Sequence, residues 1–135
     1  MTGAQNLGRR PLTIVVAAVL LALEGLVGLG YAALEVGQIR MSRAEVGVGV
    51  AVLMAAFGLL LLVVARGVFL GKRWSRGPAV ATQLILLPIA WSFKGGSTTW
   101  VSVALGALAI AVLVGVLHPR STAVFVPPAA DRGQR

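Results

Sequence analysis

Four stretches of the chain are rich in apolar residues and nearly free of charge within: residues 12–34, 43–66, 77–93 and 99–117. Charged residues collect between these runs and at the two ends of the chain. About 20 apolar residues cross a bilayer core as a helix, and a helix satisfies its own backbone hydrogen bonds where no water can. The pattern therefore predicts an all-α membrane protein. Its expected architecture is a four-helix transmembrane bundle over 12–118, after a short N-terminal segment over 1–11 and before a disordered tail over 119–135.

The first run carries one acid, Glu24, near its middle, and an intramembrane carboxylate demands protein or water around it. At 100° per residue, Thr13, Ala17, Leu20, Gly28, Tyr31, Glu35 and Gln38 fall on the same side as Glu24, a stripe of polar and small residues. This stripe is expected to face the other helices. With spans laid side by side at about 1.5 Å per residue, Glu24 stands about 18 Å from its helix start, level with residues 90–92 of the third run. Trp91 and Ser92 are then its candidate hydrogen-bond partners, and Lys94 could reach back as a counter-ion. Gln83 is expected to make an interhelical hydrogen bond, and Tyr31 and Glu35 to sit in the outer interfacial belt. Glu24, Tyr31, Glu35, Gln83, Trp91, Ser92 and Lys94 make up the candidate intramembrane polar site.

Local signals place the helix ends. Arg9 and Arg10 precede Pro11, expected at the first helical position, and the first run is too long and too interrupted by Glu24 to be a cleaved signal peptide. Ser42-Arg43-Ala44-Glu45 reads as a capping box starting the second helix at Arg43. Arg66 closes that run, and residues 67–71 are expected to continue along the interface before the basic cluster Lys72-Arg73-Trp74-Ser75-Arg76. Pro88 should kink the third helix by removing the hydrogen bond to the Leu84 carbonyl. Residues 94–99 form a tight turn, and His118-Pro119 ends the fourth helix, His118 acting as a C-terminal cap favoured by the helix dipole. Gly47, Ala51 and Ala55 in the second run, and Ala107, Ala111 and Gly115 in the fourth, recur at four-residue spacing as seams that let another backbone approach.

Composition narrows the function classes. With 58% hydrophobic and only 12% charged residues, the chain lacks the roughly 25% charged content of a water-soluble domain. The absence of cysteine excludes disulfides, thiolate metal sites and thiol catalysis. One histidine, no metal-ligand set and no nucleophile beside a base leave no reaction signature, so no enzyme, metal or cofactor is expected. A net charge of +8 does not indicate nucleic acid, because the cations lie between apolar runs, where they set topology and meet anionic lipid. Arg9, Arg10, Arg66, Lys72, Arg73, Arg76, Arg120, Arg132 and Arg135 fall on one side of the four-span arrangement, against Arg40, Arg43 and Lys94 on the other. Both termini are thus expected in the cytoplasm of a bacterial cell, with the chain in its plasma membrane.

Leu23-Glu24-Gly25, Gly30-Tyr31, Arg73-Trp-Ser-Arg-Gly-Pro78, Thr82-Gln83, Pro88-Ile-Ala-Trp91 and Leu117-His-Pro119 together resemble the small four-span integral membrane proteins of high-GC actinobacteria. The resemblance covers nearly the whole chain and implies topology and habitat, without chemistry. Small multidrug resistance transporters share the four short spans and the acid in the first, but not the lopsided charge or the third-span sequence. The expected role is an accessory or scaffolding subunit acting through helix packing, in a homo-oligomer or a larger membrane complex. The alternative is a small proton-coupled transporter with Glu24 as the protonatable group.

Overall fold

The computed structural model describes residues 10–38 and 44–125, and these are all-helical, without strands. Helix α1 runs Leu12–Gly37 and α2 runs Ala44–Phe69. A turn of 3-10 helix at Arg73–Ser75 leads into α3, Arg76–Ser92, and a second at Gly96–Thr98 leads into α4, Thr99–Leu117. A short α5, Pro119–Phe125, follows. Three helices are long and apolar enough to cross a membrane: α1, α2 and the segment Gly96–Leu117 that contains α4. The outer faces agree with that, since Leu26, Val27, Leu34, Val52, Leu53, Val63 and Ile110 are all exposed, far more apolar surface than water tolerates.

Two antiparallel hairpins, α1 with α2 and α3 with α4, make the most extensive contacts, and α1 against α4 joins them. The first hairpin is close because it has glycine on both sides. A Cβ at Gly58 would stand 2.7 Å from the Gly25 carbonyl oxygen, and one at Gly25 would stand 2.8 Å from the Gly58 carbonyl oxygen. At that separation the helices touch backbone to backbone, which only glycine permits. The α1/α4 contact uses the same device once, where Gly115 faces the Thr13 carbonyl and Ala17. Ile14, Ala17, Leu21, Leu61, Val64, Val68, Val112, Val116 and Phe125 fill the core around these crossings.

Several expected boundaries shift. Pro11 is the N-cap of α1, its carbonyl accepting from the Ile14 and Val15 amides at 3.0 and 3.3 Å. The capping box at Ser42 lies outside the described residues. Helix α2 does not give way to an interfacial segment at Arg66. It continues to Phe69 because Val68 is buried in the core and Gly67 lets Ser75 pack against it, with a Cβ there standing 2.6 Å from the Ser75 Cβ. The chain then reverses at Gly71, whose φ of 67° favours glycine. Pro88 lies inside α3, which continues through it to Ser92.

The expected disorder from 119 onward is also corrected, as far as Phe125. Ser121 Oγ donates to the Gly115 carbonyl at 2.6 Å and so accepts from Thr13 Oγ1 at 2.7 Å, while Phe125 enters the core. His118 caps the start of α5 as well as ending α4: its Nδ1 accepts the Arg120 amide at 3.2 Å. The same residue is thus the C-cap of α4 and, through its ring nitrogen, an acceptor at the start of α5. Residues 126–135 lie outside the described residues.

Of the two expected seams, that of α2 points inward: Ala51 is buried, and Gly47 and Ala55 are half-buried. The α4 seam is divided. Gly115 packs against α1, but Ala107 and Ala111 are exposed, because Ala109, Val112 and Val116 take the inward face.

Candidate functional site

Glu24 on α1 meets Gln83 on α3. Gln83 Nε2 donates to Glu24 Oε2 at 2.8 Å, and Gln83 is 0% exposed. Its neighbour Thr82 is also buried but spends its hydroxyl on its own helix, donating to the Pro78 and Ala79 carbonyls at 2.9 and 3.0 Å. Glu24 and Gln83 are therefore the polar link between α1 and α3 among the described residues. Each keeps one buried oxygen without a donor, Oε1 of Glu24 and Oε1 of Gln83. A buried acceptor left unpaired is unfavourable by about 1–3 kcal/mol. A neutral, protonated carboxyl would bring the one further donor that the pair lacks.

On its other side Glu24 borders a cavity of about 330 Å³ between the helices. Leu23, Val27, Gly28 and Tyr31 of α1, Met54, Phe57 and Leu61 of α2, Leu86 and Ile89 of α3, and Leu105 and Leu108 of α4 complete the wall. All four long helices contribute, and Glu24 is the single ionisable carboxyl among the lining groups. Tyr31 closes one rim and is 53% exposed.

The residues selected from sequence thus separate into two groups. Glu24 is bonded to Gln83 and shares the cavity wall with Tyr31, whereas Glu35, half-buried one turn beyond Tyr31, does not line the cavity. Trp91, Ser92 and Lys94 are not partners of Glu24. Ser92 Oγ donates to the Ile89 carbonyl at 2.6 Å, and Trp91 is 69% exposed with Lys94 Nζ 4.2 Å from its ring centroid. The reason is the depth at which α3 begins. The 3-10 turn folds back along α2 so that Ser75 rests on Gly67, which starts α3 about 7 Å further into the bundle than α1 by rise per residue. Gln83, not Trp91 or Ser92, then comes level with Glu24.

The cavity walls from α2 and α4 have no signature in the sequence. Gly25, Gly28 and Gly58 were the available signal, since the close crossing they permit brings Met54 and Phe57 beside Glu24. No family model, curated protein or solved structure matches the chain.

Proposed function

We propose that the chain is a four-span protein of a bacterial plasma membrane, with both termini cytoplasmic, working as an accessory or scaffolding subunit. Helix α3 is the fourth span in this reading. Its 17 residues reach about 25 Å, at the short end of the range for spanning helices. Its polar side chains Thr82 and Gln83 are bonded inside, and Leu84, Ile85 and Ile89 point outward. Arg10, Arg66, Lys72, Arg73, Arg76 and Arg120 share the end of the bundle that holds the start of α1 and the end of α4, with Lys94 at the other. That asymmetry supports the orientation. With Ser97→Cys in this cysteine-free chain, a membrane-impermeant maleimide should label intact cells from outside. Labelling only after lysis would contradict the orientation.

The accessory role is carried by one observation, the outward face of α4. Ala104, Ala107 and Ala111 are all exposed there, so the small-residue surface that suits a close helix contact is left free by the bundle's own packing. Captured in mild detergent, wild-type protein should hold a second copy or another membrane chain in fixed ratio, and Ala111→Leu should lose it while melting as wild type does. Wild-type protein recovered only as a monomer would contradict the role.

A second reading, the small proton-coupled transporter, is favoured by the cavity beside Glu24. A carrier must load and unload its proton, so Glu24→Gln should fold normally and abolish proton movement in vesicles containing a pH dye, while Glu24→Asp should retain part of it. In the accessory reading, wild type and Glu24→Gln are equally silent. Candidate-cation-dependent proton uptake by wild type alone would establish the transporter instead.

A further inference from the structure

The basic end of the bundle carries no counter-charge of its own among the described residues. Of the four acids in the chain, Glu24 lies midway along α1, Glu35 and Glu45 belong to the opposite end, and Asp131 is outside the described residues. At this end a groove of about 380 Å³ runs between α1 and α2. Ala18, Ala22 and Ala65 keep it open, Leu62 and Phe69 form its apolar wall, and Arg66 stands on its edge. The Arg10 guanidinium lies 4.3 Å over the Phe69 ring, and Phe69 is one helical turn from Arg66. Arg66 therefore lines, and Arg10 through Phe69 adjoins, the same end of an apolar slot that extends about 10 Å along α2 from Phe69 to Leu62.

We propose that this slot binds one anionic phospholipid, its phosphate between Arg66 and Arg10 and the upper part of one acyl chain along Ala18, Ala22 and Ala65. An arginine fork matches phosphate oxygens in geometry and charge. Anionic lipid is concentrated in the cytoplasmic leaflet, where the proposed orientation puts this end. The slot supplies what a diffuse basic surface lacks, a fixed apolar wall directly beneath the charge. The inference rests on the membrane reading of the chain but not on the accessory role, and its test on purified protein keeps the two apart.

The test is native mass spectrometry of the full chain in neutral detergent, with phosphatidylglycerol and phosphatidylcholine of identical acyl chains. Wild type should retain one phosphatidylglycerol with about a tenfold preference over phosphatidylcholine, which has the same phosphate but brings a cationic choline against the two arginines. Arg66→Gln and Arg10→Gln should each erase most of that preference, and Arg120→Gln should keep it. Glycerol 3-phosphate, a headgroup without tails, should not compete. Circular dichroism on each variant confirms that it is folded, and the two arginine variants give independent readings if one is not. Equal retention of the two lipids by wild type would overturn the proposal. So would equal losses in Arg66→Gln and Arg120→Gln, which mark a diffuse charge effect, or competition by glycerol 3-phosphate, which marks an anion site that ignores the groove.

Discussion

Gly58→Val should all but abolish the α1/α2 hairpin. A Cβ at that position meets the Gly25 carbonyl oxygen at 2.7 Å and the Leu29 amide nitrogen at 3.0 Å. Both are backbone atoms of a helix, which cannot rotate aside as a side chain would. Overpacking a core by a methylene or two already destabilises by about 1–3 kcal/mol. Here the helices must separate, and the gap would run from the Gly58 crossing toward the cavity wall at Phe57, so a loss at or above the top of that range is expected. Gly49→Ala on the same helix is the control, because nothing lies within 4 Å of a Cβ there. It should melt at or slightly above the wild-type temperature, since alanine is favoured over glycine within a helix by about 0.5–1 kcal/mol. Thermal melts in one detergent compare the two. Equal shifts would mean that the helices do not cross at Gly25 and Gly58.

Gln83→Leu is expected to have the next largest effect. It removes the donor to Glu24 Oε2 and leaves the carboxyl facing an apolar side chain, with an expected loss of about 1–3 kcal/mol. The double replacement Glu24→Leu with Gln83→Leu should recover most of that stability, because exchanging both members of a buried polar pair for apolar groups of similar size is often neutral or stabilising. A double-mutant cycle isolates the coupling. If the two single losses simply add, the hydrogen bond contributes nothing to holding α1 against α3.

The reach of the sequence follows from what periodicity encodes. The apolar runs gave helices near the expected places because spanning length and uninterrupted apolarity are local properties. Run ends were less secure. Arg66 breaks the charge-free run, yet Val68 and Gly67 beyond it are still needed by the core and by Ser75. The tail read as disorder because it is short, interrupted by proline and mixed in polarity. Its Ser121 and Phe125 are nonetheless fixed by Thr13, Gly115 and the core, tertiary contacts that no local pattern announces. Spacing showed that Ala107 and Ala111 share a face, but not whether that face turns inward. Glu24 stood out from sequence alone, because a lone acid in an apolar run is conspicuous. Its partner was misplaced by counting residues from span starts set at equal depth, and the short turn that climbs back along α2 breaks that assumption. The cavity needs four helices at once and so could not be read from any one of them.

If α4 presents its outer face to another membrane chain, as proposed, a photo-crosslinking amino acid placed at position 111 in cells will capture that chain. Position 60, on the exposed surface of α2, serves as the reference. A discrete protein adduct from position 111 that is absent from position 60, and is lost when Ala107→Leu is added, is the predicted result. Lipid adducts alone at both positions would contradict it.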